Sequence, residues 1–174
     1  MMISEALNAA MNRQIGNEFG ASLQYVAIAS HFAGEGLMQL AARFREQATE
    51  ERDHALRFVK YIEDTGGGVA IPAIPAPRSE FATAADAVSH SLEQEKLVTR
   101  QINEIMALAV EEKDFAAQNF LNWFVSEQLE EVANMDNLLK VVRRAGEQNL
   151  VYVEAYVANQ ASRAVAEPGA AGAE

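Results

Sequence analysis

Glu51-Arg-Asp-His54 sets a carboxylate and an imidazole three residues apart inside a strongly helical segment. At that spacing both side chains leave the same face of an α-helix and can grip one cation. A single pair of this kind is common on solvated helices, so its meaning depends on its company. Glu18, Glu95 and Glu131 supply that company, because each interrupts the apolar stripe of a different predicted helix. Glu18 stands between Met11 and Val26, Glu51 between Phe44 and Phe58, Glu95 between Val88 and Ile102, and Glu131 between Phe124 and Leu138. Ionised carboxylates gathered in a core cost several kcal/mol each to desolvate, and they repel one another. A bound metal pair removes that objection. Several carboxylates with one imidazole form a ligand set that suits iron or manganese better than copper, and one histidine with no cysteine disfavours a closed zinc site.

Within this set Glu51, central and paired with His54, is the natural bridging carboxylate. Glu18 and His54 then complete one metal position, and Glu95 and Glu131 complete the other. Gln128, three residues before Glu131 on the same face, can hold a carboxylate in place or hydrogen-bond a metal-bound oxygen. Tyr25, two turns beyond Glu18, reads either as a donor to the site and an electron source or as a core tyrosine with a satisfied hydroxyl. Trp123, about one turn from Glu127, reads first as packing. His31 and His90 lie off the constellation and read as surface residues.

These residues need long helices to position them. Leu7, Met11, Ile15, Ser22, Val26, Ala29 and Phe32 recur at helical spacing over 3–32, and Gly34-Glu35-Gly36 ends that run. Leu40, Phe44, Ala48, Ala55, Phe58 and Ile62 mark a helix over 37–64. Val88, Leu92, Val98, Ile102, Ile105 and Ala109 mark one over 84–111. Leu121, Phe124, Met135, Leu138 and Val142 mark one over 115–145, closed by Gly146. The midpoints of these four spans fall beside Glu18, Glu51, Glu95 and Glu131, and midpoints meet at one height whichever way a helix runs. The segment from Gly66 to Ser79, with three glycines and Pro72, Pro75 and Pro77, is predicted to run extended. At roughly 3 Å per residue it spans about 40 Å, the height of a bundle. Two antiparallel pairs joined by one long crossover make an all-α four-helix bundle. A short amphipathic helix is expected over 150–159, and 161–174 reads as a disordered tail.

The chain has 174 residues, a net charge of −11 and no cysteine. Its acidity disfavours nucleic acid and anionic membranes as partners and favours cations. Disulfides and iron–sulfur clusters are excluded by composition. The N-terminus shows no basic segment followed by an apolar run, and a soluble cytoplasmic protein is the expectation.

Taken in order and spacing, Glu18 with Tyr25, Glu51-x-x-His54, Glu95 and Glu127-Gln128-Leu129-Glu130-Glu131 resemble the ferroxidase motif of the bacterial non-haem ferritins. The resemblance covers roughly residues 3 to 160, so 1–160 is expected to be one ferritin-like di-iron domain. Gln128-x-x-Glu131 replaces a second Glu-x-x-His, unlike bacterioferritins. Arg52 stands where those proteins place a haem-binding methionine, so no haem is expected. Rubrerythrins add an iron bound by cysteine, which this chain lacks, and mini-ferritins place ligands across a subunit boundary. The resemblance implies an iron-storing cage of 24 subunits that oxidises Fe(II) with oxygen or peroxide and keeps the ferric mineral inside. It further implies a third iron site at Glu50, Glu127 and Glu130, and a fifth helix lining the four-fold axis. Gln118 and Leu121 stand where animal ferritins carry channel acids, which argues against the usual three-fold entry route. The alternative is a di-iron oxidase acting on a small organic substrate, which requires an apolar pocket beside the metals.

Overall fold

The computed structural model describes residues 2–166. Five α-helices account for most of them: α1 Glu5–Gly34, α2 Met38–Asp64, α3 Ala84–Glu111, α4 Phe115–Ala145 and α5 Leu150–Ala166, with a 3₁₀ turn at Glu147–Asn149 before α5. No strand occurs among the described residues. Three of the long helices carry side-chain caps from their own sequence. Ser4 accepts from the Leu7 N–H at 3.0 Å, Thr83 from the Asp86 N–H at 3.0 Å, and Asp114 from the Ala117 N–H at 2.9 Å. Positive φ at Gly36 (78°) and Gly146 (72°) turns the chain after α1 and α4.

Helix α2 lacks a cap of its own, because Leu37 precedes it. Its N-terminal amides are met from the far end of the chain: Gln39 and Leu40 donate to Glu154 of α5, each at 2.8 Å. Glu147 does the same for α3, accepting from Ala84 at 3.1 Å and Ala85 at 3.3 Å. Negative carboxylates at helix N-termini are favourable on both hydrogen-bond and dipole grounds. Val153 and Val157 bury the apolar face of α5 at the same end.

α1 packs along α2 and α3 along α4, each pair joined by a short turn, and α1 also meets α3. The segment between α2 and α3 climbs along α1, held by a repeated device. Asn12 donates to the Gly68 carbonyl at 2.8 Å and accepts from the Ala70 N–H at 2.6 Å. Gln24 donates to the Arg78 carbonyl and accepts from its N–H, both at 2.8 Å. Two side-chain amides therefore supply the backbone partners that an extended strand would otherwise lack. Between them Pro72 rests on Gly16 and Ile74 on Gly20. The rises match, since four helical residues advance about 6 Å and two extended ones about 6.5 Å.

Gly16 is glycine because a Cβ there would lie 2.3 Å from Pro72 Cγ. Gly16→Ala gains up to about 1 kcal/mol of helix propensity but forces an overpacked contact of about 1–3 kcal/mol. The net expectation is a lower melting temperature, measured by circular dichroism, with Gly20→Ala, whose Cβ finds Ile74 at an ordinary 3.7 Å, equal to the parent or more stable.

The core falls into two apolar clusters. One holds Ala21 to Phe32 of α1, Leu40 to Ala48 of α2, Ala84 to Leu92 of α3 and Met135 to Val142 of α4, with Val153 and Val157. The other holds Ile3 to Ile15, Ala55 to Ile62, Val98 to Ala109 and Ala117 to Phe124. On every long helix the gap between the clusters contains buried polar residues: Glu18, Glu51 with His54, Glu95, and Gln128 with Glu131. A polar layer thus crosses the bundle at mid-height.

Three expectations are corrected here. Val26 points outward, 53% exposed, and the stripe of α1 runs instead through Ala21, Tyr25, Ile28 and Phe32. A straight helix drifts by about 20° per heptad, so a three-and-four count begun at Leu7 loses its face within 20 or so residues. His31 and His90 are half-buried rather than surface groups, both packed against Phe81 with ring centroids at 5.3 and 5.9 Å. Helix α5 continues to Ala166, so residues 161–166 are helical; their alanine content favours the helix that the tail reading missed. The rest of the predicted tail, 167–174, lies outside the described residues. Among the described residues no helix is long and apolar enough to cross a membrane.

Candidate metal centre

Glu18 of α1 and Glu51 and His54 of α2 converge inside the polar layer, each offering a ligand atom within 4.8 Å of the others. Glu18 and Glu51 are fully buried and His54 is nearly so. Glu51 Oε2 approaches His54 Nδ1 to 3.3 Å without forming a hydrogen bond. Glu95 of α3 and Glu131 of α4 lie in the same layer, outside that 4.8 Å group but buried and electrostatically coupled to Glu51.

The hydrogen bonding of the acids follows one rule. Gln14 Nε2 donates to Glu18 Oε1 at 2.9 Å, Gln47 Nε2 donates to Glu51 Oε1 at 3.1 Å, and the Tyr25 hydroxyl donates to Glu95 Oε1 in a short bond. The second oxygens of Glu18, Glu51 and Glu95, together with His54 Nδ1, have no partner although all four atoms are buried. Buried polar atoms are ordinarily satisfied. Four orphaned ligand atoms in one layer are the arrangement that a cation would complete, and oxygen donors with one imidazole nitrogen fit iron.

Burial, reinforced by the charge of Glu51, raises the Glu18 and Glu95 carboxyls well above the usual range. Burial also raises Glu131 to about 7, although the neighbouring Gln47 amide opposes the shift. For His54, burial alone would lower the imidazole, but the adjoining Glu51 carboxylate outweighs it and leaves the group raised. Tyr25, fully buried and facing Glu95, is raised well above its ordinary value and stays a proton donor. Without a cation the layer is thus held together partly by protons, which a metal would displace.

Gln128 accepts from Thr99 Oγ1 at 3.1 Å, which leaves its amide hydrogens for Glu95. Trp123 sets its edge against His54, with ring centroids 5.3 Å apart, under the guanidinium of Arg57 at 3.7 Å. Glu50 and Glu130 are exposed and Glu127 is half-buried, so these three border the layer from the solvent side. The inner part of the Glu50 carboxyl is desolvated, and with the charge of Glu51 this raises it. Gln14 and Gln47, which donate to Glu18 and Glu51, are the residues of the layer that the sequence reading passed over. Their signal was available: each is a polar residue on the stripe, one turn before a glutamate of the layer.

A family model described as a ferritin-like domain matches residues 8–145. The chain is 44% identical over 163 residues to ferritin BfrB of Mycolicibacterium smegmatis, covering 94% of this chain and 90% of that protein. It is 35% identical over 153 residues to the bacterial non-heme ferritin of Staphylococcus aureus, covering 87% and 92%. Its fold is similar to the crystal structure of an open pore ferritin from the hyperthermophilic archaeon Archaeoglobus fulgidus, with a TM-score of 0.87 and 35% identity over 90% of this chain and 96% of that one.

Proposed function

The chain belongs to the ferritin family, and from that premise we propose that it oxidises Fe(II) to Fe(III) and stores the product as a ferric oxyhydroxide mineral inside a 24-subunit cage. The observation that supports the reading most is the set of unpartnered ligand atoms on Glu18, Glu51, Glu95 and His54 in the polar layer. Fe(II) is the substrate, and oxygen or peroxide accepts its electrons.

In this reading Glu18 and His54 hold one iron, Glu95 and Glu131 hold the other, and Glu51 lies between them. Tyr25 keeps one oxygen of Glu95 occupied through its hydroxyl, and Gln128 supports the same carboxylate. The apolar clusters above and below exclude water, so the charge interactions of the layer act at low dielectric. Glu50, Glu127 and Glu130 form a third, outer iron position. No haem has a role, residues 1–160 form the working domain, and the protein acts in the cytoplasm.

The test is aerobic addition of Fe(II) in large excess over chains, followed by size-exclusion chromatography and iron analysis. Many irons per chain, soluble and eluting with a particle of cage size, is the expected outcome. A stable monomer, or oxidation that stops at two irons per chain, would overturn storage, and the latter would favour an oxidase of organic substrates.

A further inference from the structure

We propose that Gln14 and Gln47 are positioning residues of the metal centre: each gives an amide N–H to Oε1 of the glutamate one turn further along its own helix and thereby fixes Oε2 as the oxygen that faces the metal. The assignment rests on the iron-oxidising reading above and specifies how that centre is set before metal arrives.

Both amides are almost completely buried, at 1% and 3% exposure. A buried primary amide must find partners for both ends, and an amide N–H at one end requires the amide oxygen there. The orientation of Gln14 is therefore determined: its nitrogen faces Glu18, and its oxygen accepts from Asn17 Nδ2 at 3.0 Å. Asn17 is half-buried in the groove between α1 and α3, so a chain of amides runs from that groove to the ligand.

A glutamate free to rotate about its last torsion offers either oxygen, and ordering that rotation on metal binding would cost free energy. An amide four residues earlier removes the choice, because residues i and i+4 stack on one helix face. Tyr25 does the same for Glu95 from across the bundle. Three acids on three helices thus arrive with Oε1 engaged and Oε2 bare.

Partners behind metal ligands typically account for 10–100-fold in affinity. The test uses Co(II), which oxygen does not turn over here, titrated into the full-length protein by calorimetry with the visible spectrum recorded. Gln14→Leu and Gln47→Leu preserve volume and remove the donor. Each is expected to weaken Co(II) binding about 10–100-fold and to alter the spectrum, with the number of sites unchanged. Asn17→Ala, which leaves the donor but frees it to turn, is expected to produce a smaller loss in the same direction. Wild-type affinity and spectrum in both leucine variants would overturn the assignment. If those variants fail to fold, unchanged binding in Asn17→Ala would overturn it. Glu51→Ala separates the two ideas. Co(II) binding that disappears in Glu51→Ala but is intact in the glutamine variants sinks the positioning role alone, whereas parent protein that binds no Co(II) at a Glu51-dependent site sinks the iron-oxidising reading as well.

Discussion

Glu51→Ala is expected to slow iron oxidation more than about 100-fold, because removing a ligand should cost more than removing a partner behind one. Glu51 is the residue to change because its charge reaches every other member of the layer. It acts on Glu18, Tyr25, Glu50, His54, Glu95 and Glu131 alike. The same geometry makes a second demand with the opposite sign. In the metal-free protein Glu51 is a source of repulsion, so Glu51→Gln, which keeps the volume and can still accept from Gln47, should stabilise the chain. Replacing buried charges by neutral groups of similar size gains about 1–4 kcal/mol in favourable cases, and 1 kcal/mol moves the melting temperature by about 2–4 °C at this chain length. Initial oxidation rates after rapid mixing check the first effect, and thermal unfolding in the presence of a chelator checks the second. A wild-type rate in Glu51→Ala would remove Glu51 from the centre. A destabilised Glu51→Gln would mean that its charge is already neutralised in the metal-free chain.

Metal-free protein should also lose stability as pH rises from about 4.5 to above 7. Glu131 shows the sign. Its ordinary value is 4.5 and its folded value is about 7. Between these limits the unfolded chain has released the proton and the folded chain still holds it, so unfolding is increasingly favoured as pH climbs. The contribution is fully present below the lower value and gone above the upper one. A rise of that size corresponds to about 3 kcal/mol. Glu18 and Glu95, raised further by burial and by Glu51, act in the same direction, and so does His54. Added Co(II) should flatten the curve above neutrality, since a cation takes over from the protons and its affinity grows as they leave. Melting temperatures at several pH values, with and without metal, and with Glu131→Gln as the comparison, are the measurement. A metal-free curve that rises through this window would contradict the buried, proton-sharing layer.

Helix limits were legible to within two residues at both ends of all four long helices, because Gly34, Gly36, Gly146 and the proline-rich segment punctuate long periodic runs. The four buried acids of the polar layer, Glu18, Glu51, Glu95 and Glu131, were legible for a different reason. An acid on an apolar stripe contradicts its surroundings, and that contradiction can be seen in one dimension. Asn12, Gln24, Gln14 and Gln47 give a much weaker contradiction, since an amide is tolerated on either side of a helix. Their roles depend on partners up to 58 residues away or on the exact rotamer, which periodicity does not encode. Phe81 hid the environment of His31 and His90 for the same reason: it lies outside every predicted helix and reaches both from the crossover.

The two carboxylate caps supplied from the C-terminal segment have a bearing on the metal layer at mid-bundle. Glu154 and Glu147 each clasp two adjacent amides, which anchors the starts of α2 and α3 at one end of the molecule. Sliding either rod by a single residue would carry its glutamate about 1.5 Å along the axis, a large fraction of a metal–ligand bond. The 3₁₀ turn and the last helix together therefore index the two rods that bring Glu51, His54 and Glu95, and a change made there would be felt as misalignment of side chains it never touches.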